Sequence, residues 1–189
     1  MLVLYLLILP WKIYSELYVK IGNKSGTEDD DMSLAECPEE AVLVNCEIIF
    51  GHKTLKHDGV KIKDGNCAAY KGKKLADVPI DEQYVQAKAT CNDRKKTDQV
   101  RYQEKIGPNS TTIVVGCDED FTVAECLIYS AYDVTRQGTL LKETDGKCTG
   151  YHDYFFTLTV ICVKSDKLTE PIENRSTDNK EYTTKQIDC

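Results

Sequence analysis

Cys37-Pro-Glu-Glu-Ala-Val-Leu-Val-Asn-Cys46 and Cys117-Asp-Glu-Asp-Phe-Thr-Val-Ala-Glu-Cys126 decide how this chain folds. Each places eight residues between two cysteines, with acids first and apolar residues after. The match continues downstream. Asp64-Gly65-Asn66-Cys67 lies over Asp145-Gly146-Lys147-Cys148, and Tyr70 and Tyr151 each follow the third cysteine by three residues. A fourth cysteine ends a run in each set: Val85-Gln-Ala-Lys-Ala-Thr-Cys91 and Phe156-Thr-Leu-Thr-Val-Ile-Cys162. The gaps between cysteines are 8, 20 and 23 residues in the first set and 8, 21 and 13 in the second. Four coincident features over about 50 residues mark a tandem duplication.

The runs that end in the fourth cysteines alternate with period two, as half-buried strands do. Val85, Ala87, Ala89 and Cys91 share one face, with Gln86 and Lys88 opposite. Phe156, Leu158, Val160 and Cys162 share a face against Thr157 and Thr159, and Ile113, Val115 and Cys117 repeat the pattern. Asp64-Gly65 and Asp145-Gly146 are turn signals. Long helical periodicity is absent. The expected fold is all-β: two tandem, small, disulfide-stapled β-sandwich modules.

Residues 1–9 (MLVLYLLIL) are apolar and uncharged, too few to cross a hydrocarbon core, which needs about 20. They suit the h-region of a secretory signal peptide over 1–15, with Ile13 at −3 and Ser15 at −1 of the cut. The C-terminus is polar and carries no lipid-anchor signal. Asn23, Asn109 and Asn174 each open an Asn-x-Ser/Thr sequon in a polar stretch, as glycosylation requires. In an oxidising compartment two equivalent sets of four cysteines read as disulfides, with three pairings open to each set. The expected organisation is an acidic flexible tail over 16–33, module 1 over 34–92, a linker over 93–111, module 2 over 112–165, and a polar flexible tail over 166–189.

The chain of 189 residues carries a net charge of −7. That balance argues against nucleic acid as a partner, since phosphate binding needs basic surface. It also disfavours anionic membranes. Three histidines leave little for a catalytic relay or a histidine-rich metal site. His52, His57 and His152 read as loop residues. No Gly-x-Ser-x-Gly elbow, phosphate loop or His-Glu-x-x-His occurs. Asp118-Glu119-Asp120 reads as a solvated turn, and its spacing does not match an EF-hand loop. No catalytic residue, metal or cofactor is expected. Arg94, Lys95, Lys96, Arg101 and Lys105 form a basic patch that would suit an acidic partner or a sulfated glycan. Cys189, the ninth cysteine, is left for an intermolecular disulfide or a free thiol.

The cysteine frame, with Cys-Pro-Glu-Glu opening the unit, resembles the repeats of the cysteine-rich C-terminal domain of proprotein convertase subtilisin/kexin type nine, and the C-terminal head of resistin. The resemblance covers residues 35–92 and 115–163. It implies jelly-roll-like β-sandwich modules that bind rather than catalyse. It also implies pairing of first with last and second with third cysteine: Cys37–Cys91, Cys46–Cys67, Cys117–Cys162 and Cys126–Cys148. The chain departs from that pattern. The family's modules usually end in Cys-Cys, whereas Asn92 follows Cys91 and Val163 follows Cys162, so a third bond is missing. The short gap from Cys148 to Cys162 implies a trimmed hairpin.

The expected function is that of a secreted, non-enzymatic binding or adhesion protein. It would meet a protein partner at a cell surface, with a disulfide through Cys189 to that partner as one expectation, and without stable membrane insertion. A membrane- or glycan-recognising module is the alternative.

On the chain-entropy account, crosslinks closing loops of about 22 and about 55 residues contribute roughly 3 and 4 kcal/mol. In modules this small those terms rival the whole net stability. Excess dithiothreitol should therefore abolish the near-UV circular dichroism, and a spectrum unchanged by reduction would contradict this reading.

Overall fold

A computed structural model describes residues 17–93 and 99–164. The 1–15 signal, Arg94, Lys95, Lys96, Asn174, Cys189 and the 166–189 tail lie outside the described residues. The chain is all-β, with twelve strands and one 3-10 turn, Ile80–Glu82, among those residues. The first six strands are β1 (Leu17–Ile21), β2 (Met32–Ala35), β3 (Ala41–Phe50), β4 (His57–Lys63), β5 (Asn66–Lys71) and β6 (Val85–Asp93). The second six are β7 (Val100–Gly107), β8 (Thr111–Gly116), β9 (Phe121–Tyr129), β10 (Leu140–Thr144), β11 (Lys147–His152) and β12 (Phe156–Lys164).

The strand order writes the duplication out. Strands β1-β6-β3 form one sheet and β10-β11-β8 another, and β2-β5-β4-β9-β12-β7 form a third of six strands. Shifting the numbering by six maps β1-β6-β3 onto β7-β12-β9 and β2-β5-β4 onto β8-β11-β10. Even a local irregularity is copied. Leu43 faces Cys91 while Asn45 faces Thr90, which leaves Val44 as the extra residue of a bulge. Val123 faces Cys162 while Glu125 faces Ile161, which leaves Ala124 in the same place. Four disulfides are formed, Cys37–Cys91, Cys46–Cys67, Cys117–Cys162 and Cys126–Cys148. These are the same pairs that the resemblance implies. Between β11 and β12 only residues 153–155 intervene, where β5 and β6 are joined by 72–84.

The repeats are not two beads on a linker. The six-stranded sheet passes from one to the other between β4 and β9. The face of repeat 2 turned toward repeat 1 carries Leu127 and Ile161, which join the core of the first repeat beside Leu43, Ala87 and Cys91. Its other face carries Cys126, Ile128, Leu158 and Val160 into a second core. Strand β12 is therefore buried on both sides. Thr159 and Ile161, which alternation alone would leave wet, are as buried as Leu158 and Val160. In repeat 1 the alternation holds as read, with Val85, Ala87, Ala89 and Cys91 fully buried.

Two expected boundaries are corrected. The 16–33 stretch is not a flexible tail. It supplies β1, which pairs with β6, and the start of β2, which pairs with β5. Its acids wrap a buried cation: the Lys71 ammonium donates to the Glu28 carbonyl at 2.8 Å, and Lys74 binds the Glu28 carboxylate at 3.0 Å. Lys71 is fully buried, and that burial pushes its pKa down, with the carboxylates of Asp31, Asp29 and Glu28 opposing. Nor is 93–111 a linker, since it holds β7, which pairs along eight residues of β12. Module 1 thus starts before residue 34 and module 2 before 112.

At the seam Gly59 faces Tyr129. Gly59 has φ +94, and a Cβ there would run into the Ile128 carbonyl. Gly65 is also left-handed, at φ +77, but has open space around it. Gly65→Ala should cost about 1 kcal/mol from backbone strain alone. Gly59→Ala adds a backbone clash and should cost about 3 kcal/mol or more. Urea unfolding of the two variants checks the order.

Candidate binding surface

Two of the three histidines are not loop residues. His57 opens β4 and is buried, and His152 ends β11 and is buried; only His52 sits in a loop. Strand β4 carries its own bulge. His57 faces Lys71 and Gly59 faces Tyr70, so Asp58 is the extra residue. A bulge re-aims the side chain it carries, and Asp58 turns into the seam between the repeats. There its carboxylate accepts the Asp133 N–H at 3.0 Å, and its carbonyl accepts the Ser130 N–H at 2.9 Å. The Val134 N–H donates to the His57 carbonyl at 3.0 Å. From the other side the His152 Nε2–H donates to the Asp133 carbonyl at 3.2 Å, while its Nδ1 accepts the Tyr154 N–H at 3.1 Å. Lys56 lies 3.8 Å from the Asp133 carboxylate. The 130–134 loop is thus held by both repeats.

That anchored loop presents aromatic surface. Tyr132 stacks on Tyr154 with ring centroids 4.6 Å apart, and the Arg136 guanidinium sits 4.9 Å over the Tyr154 ring. Tyr132 is 53% exposed and the neighbouring Phe155 59%. The Ser130 hydroxyl donates to the Phe155 carbonyl at 2.8 Å, which fixes the two loops to each other. On the sheet face nearby, Tyr70 and Tyr129 lie 4.8 Å apart under the Lys61 ammonium. Tyr, Phe and Arg on a rigid support are what protein interfaces enrich. No motif or spacing in the sequence marks Tyr132, Tyr154 or Phe155. Only the fold brings 132 and 154 together. Next to the seam, between β3, β4 and β9, lies a cleft of about 400 Å³ lined by Ile48, Phe50, Val60 and Leu127, with the Glu47–Lys88 ion pair (2.7 Å) at its edge.

Of the basic residues singled out from the sequence, Arg101 and Lys105 fall on alternate positions of β7 and are exposed. Arg101 is engaged with Asp118 at 2.9 Å and lies 4.4 Å over the Phe121 ring. Asp118, read as part of a solvated turn, is thereby an ion-pair partner. Asn23 and Asn109 are exposed. Among the described residues no group of three or more His, Cys, Asp or Glu is placed to hold a metal ion, and no helix is long and apolar enough to cross a membrane.

His57 and Asp58 are neighbours with opposed titrations. Burial lowers His57 from 6.5 to about 4, against the Asp133 carboxylate. The Gly59 N–H donates to its Nδ1 at 3.1 Å, which a proton there would break. Burial raises Asp58 from 3.8 to about 7, helped by the charge of Asp30 and opposed by the Asp133 N–H. For Asp58 the folded state keeps a proton that the unfolded chain has lost, so stability falls as pH rises from about 4 to 7. For His57 the unfolded chain takes up a proton that the folded state refuses, so stability falls as pH drops from 6.5 to about 4. Across that shared window both states hold one proton on the pair, and the two slopes cancel.

Removing either partner should uncover the other. Relative to the parent chain, His57→Gln should lose stability with rising pH between about 4 and 7, by no more than about 1.4 kcal/mol per unit. Asp58→Asn should gain stability with rising pH between about 4 and 6.5, under the same ceiling. Denaturant unfolding at stepped pH measures both, and parallel profiles for the two variants would refute the pairing.

No family model matches the chain, and no curated protein matches it significantly.

Proposed function

We propose that the chain is a secreted, non-enzymatic binding protein that meets a protein partner at a cell surface through its second repeat. The aromatic platform of Tyr132, Tyr154 and Phe155 with Arg136 carries this reading, because it is exposed, of hot-spot composition and anchored by a buried network that joins both repeats. The apolar N-terminal run and the sequons support export, as do four disulfides, which persist in oxidising compartments. The exposed Asn23 and Asn109 are the sites at which sugar would be carried. The proposed relationship to the convertase and resistin repeats fits the same role.

The test is affinity capture from the native extracellular fraction, using the parent chain and Tyr132→Ala/Phe155→Ala. Both residues are exposed, so the fold should persist, as disulfide mapping would verify. Loss of two hot-spot side chains should weaken partner binding about 30-fold or more. Equal recovery by both proteins would refute the platform. Capture of glycans alone, lost on the same substitution, would favour the glycan-recognising alternative, for which a flat aromatic stack is also suited.

A further inference from the structure

Among the described residues, the outer face of β1-β6-β3 is a large sheet face whose copy inside the same chain has a partner. Under the six-strand shift β1 corresponds to β7. Val19 faces Thr90, one residue before Cys91, and Tyr102 faces Ile161, one residue before Cys162. The register therefore places Leu17 on Val100 and Val19 on Tyr102. In repeat 2 that row is covered. Val100 and Tyr102 pack against the core of repeat 1 together with Ile161, and the Tyr102 hydroxyl donates to the Leu43 carbonyl at 2.9 Å. In repeat 1 the same row is bare: Leu17, Val19 and Ile21 are 62%, 57% and 58% exposed. Three large aliphatic side chains in one line on one strand face are not scattered surface residues.

The charge on that face selects its partner. Its charged side chains are Glu47 and Lys88, which neutralise each other, and its other polar positions are uncharged residues such as Asn45, Gln86 and Thr90. A chain of net −7 repels its own copy over most of its surface, but two such faces meet without a like-charge pair. The copy of this face in repeat 2 is already covered, by the core of repeat 1, so repeat 1 alone offers it to a second chain.

We infer that the outer face of β1-β6-β3 docks the same face of a second copy of this chain across a two-fold axis, with the rows Leu17-Val19-Ile21 packed against each other. Such a contact is isologous and closes on itself. Sheets stacked this way lie about 10 Å apart. Three strands of this length would bury on the order of 1,000 Å² in all, at the small end of specific interfaces, so the dimer is weak and concentration-dependent.

Sedimentation equilibrium of the full chain carrying Cys189→Ser tests this, because the substitution removes any covalent dimer through that thiol. The chain should pass from monomer to dimer with a Kd on the order of 10–100 µM. Val19→Lys should weaken dimerisation tenfold or more, whereas Ile106→Lys, at an equally exposed aliphatic on β7, should leave it unchanged. Circular dichroism and disulfide mapping would show that both variants fold. A chain that stays monomeric at millimolar concentration overturns the inference. So does a dimer indifferent to Val19→Lys, or a monomer in which mass spectrometry finds residues 1–16 retained and cross-linked to the β1 row.

Discussion

Cys46 reaches from β3 to Cys67 of β5, and Cys126 from β9 to Cys148 of β11. In each repeat one covalent bond thus joins the two sheets that must lie face to face. Repeat 1 needs it most. Its buried core is rich in alanine, with Ala35, Ala41, Ala69, Ala87 and Ala89 where larger side chains would contribute more apolar area. Small residues let the sheets approach, but they leave little burial to offset chain entropy. The second crosslink of each set, Cys37–Cys91 and Cys117–Cys162, fixes the entry to β3 or β9 against the last strand of its repeat. The bulge at Val44 and Ala124 lies within that closed loop in both repeats.

Repeat 1 also borrows from its neighbour. Leu127 and Ile161 fill what the alanines leave open, and the Tyr102 hydroxyl caps the Leu43 carbonyl. The seam that allows this is narrow in backbone terms, a single facing pair at Gly59 and Tyr129, extended by the bonds around Asp58. A buried carboxyl and a buried imidazole side by side would ordinarily make such a seam sensitive to pH. Their opposed shifts leave it level through the acidic range.

The duplication, the all-β class and the inward faces of the last strands were legible because each rests on a local signal: cysteine spacing, Asp-Gly turns and period-two alternation. What failed to show depends on distant partners. The acids at 28–31 look like a solvated tail until Lys71, some forty residues on, is seen buried among them. Strand β7 reads as a linker because Arg101, Glu104 and Lys105 hide a short alternation behind charge, and a strand on the edge of a sheet tolerates that. Thr159 and Ile161 are buried by a sheet belonging to the other repeat, which no pattern within their own strand can signal. His57 and His152 end up inside because a bulge and a loop supply their ring nitrogens with backbone partners. The stacked tyrosines likewise meet only through the fold.

The six-strand shift has a corollary at the far end of the molecule. Strand β4 hands the sheet on to the next repeat, and β10 is its counterpart. Yet β10 runs for only five residues, two of them Lys142 and Glu143, while β4 runs for seven. A brief, charged rim of this sort discourages further lateral growth. An edge that serves repeat 1 as a splice is, in repeat 2, a guarded rim.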